Sequence, residues 1–440
     1  MGLRDVLIFS FVFGSLPFIL ARPYIGVLMW SWLAYMNPHR LTWSLAFDFR
    51  FSVVVGGVLV LAVIFSRERK RIIWTPVTFA WLAFFCWTGV TTLFAFFPED
   101  AGHEWSRWWK INLASLITLL VMQSRERIKM LVWVITLSIA FYGVKGGLFA
   151  ILTGGQRMVF GPIGTFFGDN TSLGLALVMI IPLLRYLQLE AQKTWMRMAL
   201  AGSMLLTVVA TLATQSRGAL VGLVGIAAFF VVKSPKRLGL SLAMLVAVPA
   251  LFAFMPTSWH ERMGTIATYD QDQSAMGRIN AWWFAINLIK DRPVVGGGFN
   301  TFTPELFKRY APNPDDFHDA HSIYFEVLAE QGIVGLVLFL ALACLVIRHS
   351  GWIVKACRGR PDLAWAGNLA AMLQVSFVGY ALSGAFLGLA YFDLAYHLMV
   401  IVVVTRQLVE DSLRQEALAV VGEPGPAPQR PLVISSGGPL

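Results

Sequence analysis

The stretch HDAHSIYFEVLAEQGIVGL (318–336) joins a polar run holding two histidines to a segment that soon becomes wholly apolar. His321 is the residue there best suited to move a proton. An imidazole near its ordinary pKa takes a proton from an incoming hydroxyl at neutral pH. Glu326 and Glu330 follow at i, i+4 spacing and share a helix face, where they either position a neighbouring loop or touch a ligand. The run DDFHDAH (315–321) and the DQD at 270–272 also offer oxygen and nitrogen donors to a metal. Acidic clusters of this kind are common in solvated loops, however, and no metal is expected.

Arginines supply a second kind of chemistry. Arg217 lies in a short turn, TQSRGAL, between two apolar runs, and Arg278 opens GRINAWWFAINLIKDRP (277–293), which has the pattern of an amphipathic helix ended by Pro293. Guanidinium forks pair with phosphate oxygens, and a helix start adds backbone N–H groups to the same task. A charge beside hydrocarbon is retained when something anionic pairs with it, lipid phosphates included. Arg217 and Arg278 are therefore expected to form a phosphate or pyrophosphate site, with Arg157 and Arg292 as supporting cations. Asp393, at the start of the last apolar run, is expected either to orient one of these groups or to cap a helix.

The elements that must carry these residues are membrane helices. Hydrophobic residues make up 57% of the chain, charged residues 14%, and mean hydropathy is +0.66. An ordinary soluble domain is excluded, and the short alternating segments of a β-barrel are absent. Apolar runs long enough to cross about 30 Å of hydrocarbon recur at 5–34, 51–65, 77–97, 110–123, 130–152, 172–187, 198–214, 218–232, 238–255, 322–347, 365–389 and 391–405. The first run is interrupted at Arg22-Pro23 and either crosses once or folds back as two short helices. The fold class is thus an all-α integral membrane protein of about twelve transmembrane helices.

The formal charge of +10 gathers in the loops 66–71, 124–129, 233–237 and 348–360, which marks them as cytoplasmic rather than as nucleic-acid binders. Both termini are then expected on the cytoplasmic side. The organisation that follows is nine helices over 1–255, a long periplasmic loop at 256–320 containing the amphipathic helix, three helices over 321–406, and a largely disordered cytoplasmic tail at 407–440. A loop of that length is uncommon unless it carries function. Trp282 and Trp283 suit a membrane interface. The three cysteines show no metal-ligand spacing, and TGGQRMVFGPIG (153–164) lacks the ending of a nucleotide phosphate loop. Any transferred group must therefore arrive already activated, and no cofactor is expected.

These residues resemble the O-antigen ligase/polymerase superfamily. The likeness lies in an arginine and tryptophan on a helix, then Pro-x-x-Gly-x-Gly, then a histidine with an aromatic, a glutamate and Gly-x-x-Gly. The matching positions are Arg278, Trp282, Pro293, Gly296, Gly298, His321, Tyr324, Glu326, Gly332 and Gly335, with Arg217 in the upstream SRGA. RPYIGVLMWSWLAYMNPHRL and FYGVKGGLFAILTGGQ resemble a bacterial subgroup described as O-glycosylation ligases. His-Ser replaces the His-Asn of many relatives, which leaves the histidine and changes its neighbour.

The resemblance implies a GT-C-like glycosyltransferase of the bacterial inner membrane with its active site facing the periplasm. Such an enzyme moves a glycan from undecaprenyl pyrophosphate to a sugar of lipid A-core, inverting the anomeric centre without metal or nucleotide. It implies His321 as base and Arg217 and Arg278 as pyrophosphate ligands. Trp282, Tyr324 and Glu326 are supporting residues matched to the pattern. The implied partners are the lipid-linked glycan, lipid A-core and membrane lipids. Alternatives are an O-antigen polymerase, a protein O-oligosaccharyltransferase or, from another class, a lipid or polysaccharide transporter.

Overall fold

The computed structural model describes residues 2–68, 70–233, 245, 249, 252–253, 255–264 and 273–422, and among them every regular element is helical. Among the described residues six helices are long and apolar enough to cross a membrane: α1 (Leu3–Ala21), α5 (Pro76–Leu93), α7 (Arg125–Leu152), α8 (Asn170–Glu190), α9 (Thr194–Ala213) and α14 (Ile323–Ala356). Two shorter apolar helices, α4 (Phe51–Phe65) and α10 (Arg217–Lys233), accompany them. The run expected at 238–255 lies largely outside the described residues. The chain is thus a multi-pass helical membrane protein.

Its core is α8, whose side chains are apolar all round and almost all buried from Leu173 to Leu184. A helix with no polar face must be enclosed by others. Packing of α7 on α9 is made close by glycine: a methyl group at Gly147 would stand 2.2 Å from the carbonyl oxygen of Leu206. Small residues let membrane helices approach backbone to backbone, which is what the GVKGG stretch provides.

The first apolar run is not a single span. Arg22 is extended (φ −142°, ψ 94°), and Pro23 starts α2 (Pro23–Met36) at a position where its missing N–H is harmless. The two helices form a hairpin. Arg4 Nη1 donates to the Leu41 carbonyl at 3.0 Å, Ala46 N–H donates to Asp5 Oδ1 at 3.2 Å, and Phe11 meets Trp32 edge-on at 5.2 Å. At the other end of the hairpin, the Arg127 guanidinium lies 4.8 Å from the Tyr24 ring. The N-terminus therefore sits beside the 38–50 turn, at the end of the bundle that carries His321. The C-terminal helix α16 (Asp393–Gly422) starts at that end and runs away from it, so Gly2 and Gly422, the first and last described residues, lie at opposite ends of the bundle. The extra reversal between α1 and α2 is the physical reason.

The same helix α16 continues to Gly422, well into the segment expected to be disordered. Arg406–Glu410 and Gln407–Asp411 pairs, one turn apart, extend it beyond the apolar part. Residues 423–440 lie outside the described residues.

The described residues of the long connection before α14 form three helices, α11 (Thr257–Gly264), α12 (Gln273–Asp291) and α13 (Pro304–Tyr310). Phe284, Leu288, Phe307 and Tyr310 give it a small core of its own. Beneath it α14 is broken at Gly332 (φ +73°, ψ −175°). The Pro-x-x-Gly-x-Gly loop fills the break: Gly297 and Gly298 N–H groups donate to the carbonyls of Ala329 and Glu330 at 2.8 and 2.9 Å, and Ile333 N–H donates to the Pro293 carbonyl at 2.9 Å. Backbone groups freed at membrane depth need partners inside the protein, and this loop provides them.

Candidate functional site

His321 closes the turn into α14 with φ +41°, a left-handed conformation that side chains other than glycine rarely adopt. Strain of this kind, about 1–3 kcal/mol, persists only where the surroundings over-determine it. Two anchors do so. Trp282 on α12 donates from Nε1 to the Ala320 carbonyl at 2.8 Å and stacks on Phe325 at 5.0 Å. Tyr324 donates its hydroxyl to the Ala381 carbonyl at 3.0 Å on α15 (Ala364–Gly384). Trp282 and Tyr324 are thus spent on holding the histidine turn. The interface role expected of Trp282 gives way to this one, whereas Trp283 is exposed.

Burial, and then the nearby Arg278 cation, hold the His321 imidazole below its ordinary pKa, against the opposing carboxylates of Asp319 and Asp169. The ring is therefore neutral at pH 7 and able to accept a proton. His318, three residues earlier, is engaged elsewhere: its Nε2 lies 2.9 Å from Asp316 Oδ1. Among the described residues no three histidine, cysteine or acidic side chains converge as metal ligands, and the acidic DQD stretch lies outside them.

A cavity of about 290 Å³ opens beside this turn. Its walls come from α6 (Pro98–Val121), which brings Glu104 and Arg107, from the 153–169 loop with Phe166 and Asp169, and from Glu326 and Tyr391. A methyl group at Gly388, on the cavity wall, would lie 3.6 Å from Glu326 Oε2 and 3.8 Å from the His321 backbone nitrogen. The histidine turn and the cavity are thus neighbours. Arg107 sits 3.8 Å over the Phe166 ring and 3.7 Å from Glu104. Burial pushes the Asp169 carboxyl up, but hydrogen bonds from Ser172 and Thr171 outweigh it and hold the group below the usual carboxylate range.

The two glutamates divide the roles left open for them. Glu330 is a clamp: Oε1 accepts from Asn300 N–H at 3.0 Å and Oε2 from the Tyr391 hydroxyl at 2.7 Å, while Gln331 Nε2 donates to that hydroxyl at 3.0 Å. Glu326 Oε2 accepts from Ala390 N–H at 3.0 Å, and its side chain lines the cavity.

Arg217 is half-buried at the start of α10, after Gln215 at φ +54°. Its turn is fixed to the start of α8, where Asn170 Nδ2 donates to the Thr214 carbonyl at 2.8 Å. The neighbouring Gly218 faces Phe386, in the loop that also carries Gly388. Arg217 and His321 therefore flank one loop.

The other expected residues are dispersed. The Arg292 guanidinium donates to the Phe94 carbonyl and lies 4.4 Å over Phe96, so it ties α12 to the turn after α5. Arg157 is exposed on the 153–169 loop. Asp393 opens α16 with a buried Oδ1 that has no hydrogen-bond partner, within electrostatic reach of Arg107. Glu104 and Asp169 were not expected in the site, whereas Arg107 is one of the cations that the sequence places at this membrane face as part of an expected phosphate site. Pro98 followed by Glu99 and Asp100 is a helix-start signal that would have placed Glu104 and Arg107 on an element before the apolar run at 110.

Fold and site together define a multi-pass helical membrane protein with a polar chamber at one end of the bundle, covered by a folded loop. Residues 202–340 match the family described as O-antigen ligase, which supports the resemblance to the O-antigen ligase superfamily. Residues 3–194 match a family described as of unknown function. No curated protein matches the chain. The first match spans Arg217, Arg278, His321, Glu326 and the Gly332 break.

Proposed function

We propose that the protein is an O-antigen ligase that transfers a glycan from undecaprenyl pyrophosphate to a sugar hydroxyl of lipid A-core, at the periplasmic face of the inner membrane. The observation that carries this reading is the placement of a neutral, conformationally strained His321 beside a polar cavity, inside the segment that matches the ligase family.

His321 takes the proton of the acceptor hydroxyl. The hydroxyl oxygen bonds to the anomeric carbon from the face opposite the leaving group, and the bond from that carbon to the pyrophosphate oxygen breaks. Configuration inverts, undecaprenyl pyrophosphate leaves with the electron pair, and the imidazolium later returns its proton to solvent. Arg217 and Arg278 bind the pyrophosphate and stabilise the charge that develops on it. Glu326, on the cavity wall, orients acceptor hydroxyls, and Asp393 supports Arg107. The donor is already activated, so the step needs neither nucleotide nor metal.

The test uses purified protein with undecaprenyl-pyrophosphate glycan, lipid A-core and EDTA, wild type beside His321→Ala, with the product read by mass. Ligated lipid A-core from wild type alone supports the reading. Longer lipid-linked glycan in its place identifies a polymerase, and glycan on protein identifies an oligosaccharyltransferase. A covalent glycosyl-enzyme counts against the single inverting step.

A further inference from the structure

The α1–α2 hairpin leaves a groove that the transfer reaction does not use. Helices α1 and α7 both pack on α2, and the surface of α2 between them is open to the membrane. Ile25, Leu28 and Met29 form its floor, with Phe11 on one wall and Leu137 and Trp133 on the other, around an apolar volume of about 600 Å³. Toward the His321 end the groove runs past Phe141 into a second volume of about 570 Å³, whose character changes. Three cations, Arg4, Arg40 and Lys145, line this upper part together with Trp43.

The charges there are arranged for an anion. Arg4 lies 4.6 Å over the Trp43 ring, and Trp43 is 84% exposed, as a residue at a headgroup layer is. Arg40 lies 4.6 Å over the Phe47 ring and 3.8 Å from Asp48, a carboxylate that is itself almost fully in solvent. The other acid nearby, Asp5, is occupied by Ser44, Ala46 and its own helix start. Lys145 is an exposed cation a turn above Phe141 on a helix face otherwise suited to lipid. Its ammonium reaches the headgroup layer from there.

Length sets the tail. From Lys145 to Trp133 is 12 residues of α7, or about 18 Å. Half of a hydrocarbon core is about 15 Å. The groove is therefore one leaflet deep, with its cations at the surface and its apolar end near the midplane.

We propose that this groove binds an anionic glycerophospholipid of the leaflet on the His321 side, with its phosphate among Arg4, Arg40 and Lys145 and an acyl chain along α2. One leaflet of depth fits an acyl chain and not a polyprenyl chain, and this inference stands apart from the transfer reaction. Arg40 also lies against the loop of the chamber: a methyl group at Gly164 would be 3.5 Å from its guanidinium carbon. An occupied groove would thus brace the wall that carries Phe166 and Asp169.

The test is native mass spectrometry of the full-length protein, delipidated in detergent and titrated with phosphatidylglycerol or phosphatidylcholine of the same chains. Phosphatidylglycerol adducts are expected to survive at lower lipid concentration. Each cation near a headgroup contributes about fivefold in affinity, so Arg40→Gln with Lys145→Gln lowers retention roughly 25-fold. Leu137→Trp, which fills the groove without touching a charge, removes the same adduct. Equal retention of the two lipids, or an unchanged adduct in both variants, overturns the proposal. Preferential retention of undecaprenyl phosphate over phosphatidylglycerol overturns the choice of occupant. Circular dichroism melting of each variant separates lost binding from lost fold.

Discussion

The two ends of the helical bundle are built on different terms. At the end away from His321, basic residues pair with acids on the surface: Arg127 with Glu68, Arg406 with Glu410, Arg360 with Glu416. At the His321 end, the backbone itself departs from regularity. Every described residue other than glycine with a left-handed φ is there: Asn37, Gln215, Asn300 and His321. Of the described left-handed glycines, only Gly359 lies at the far end. The far end carries exchangeable surface charge pairs, and the near end holds a few residues in backbone conformations the chain would not choose. Substitutions should therefore act on chemistry and packing at one end and on little at the other.

The largest contrast is expected at His321. His321→Ala should slow transfer roughly 10²–10⁴-fold with thermal melting little changed, since the variant loses a base but keeps the Cβ from which the backbone strain arises. Near-wild-type transfer by the folded variant would remove the histidine from the base role. Its pKa direction adds a sign. The folded imidazole titrates below its ordinary 6.5, so the active neutral form is fully present at pH 7 and is lost as pH falls through the folded pKa. The acid limb of the rate profile should then lie below about 6.5. Because the unfolded chain binds that proton more readily, the same group makes stability fall, not rise, on acidification through this window.

Gly332→Ala should come next, and through the fold. A methyl group there would stand 2.0 Å from the Val294 carbonyl oxygen, on a residue at φ +73°. A loss on the order of 3 kcal/mol is expected in denaturant unfolding in detergent. Gly14→Ala in α1 is the matched control. Nothing lies within 4 Å of a methyl group there, and stability should hold or rise by up to about 1 kcal/mol. Equal effects at the two glycines would mean that the loop does not hold the break.

Trp282→Phe keeps a ring for stacking on Phe325 but removes the hydrogen bond to the Ala320 carbonyl. If the tryptophan acts only by holding the histidine turn, kcat should fall about tenfold or less, with KM and the acid limb unmoved. A shift in KM for the donor instead would give Trp282 a contact with substrate.

This contrast explains what was legible in the sequence. Apolar length and basic loops are local signals, and they report the membrane class and the far end well. The pairing of His321 with Arg278 was legible only through the family resemblance, which matches both positions although 43 residues separate them. The roles of the motif glycines were not, because Gly296 and Gly332 are needed for a contact between two segments, which no single window contains. The hairpin at Arg22-Pro23 was visible as a break, but its direction depends on Arg4 reaching Leu41, 37 residues away. Glu104 and Asp169 enter the chamber from elements whose polar character looks like ordinary loop solvation until the starts of α6 and α8 are seen to line one cavity.

The smallest effect is the sharpest check on the comparison. Arg127 donates to both oxygens of Glu68, at 2.8 and 3.1 Å, lies over Tyr24, and also donates to the Val121 carbonyl at 2.7 Å. It is the best-connected of the far-end pairs, so it is the fairest place to look for an exception. Its side chain remains about a quarter accessible and that of Glu68 about a third, and pairs so exposed are worth about 0–1 kcal/mol. Arg127→Ala should therefore lower stability by about 1 kcal/mol or less and leave transfer within twofold of wild type. A tenfold loss of transfer from this one substitution would mean that the far end is coupled to the chamber through α2 and α7. The two ends would then be one mechanical unit, and the lipid groove lying between those helices would be the first place to look for the link.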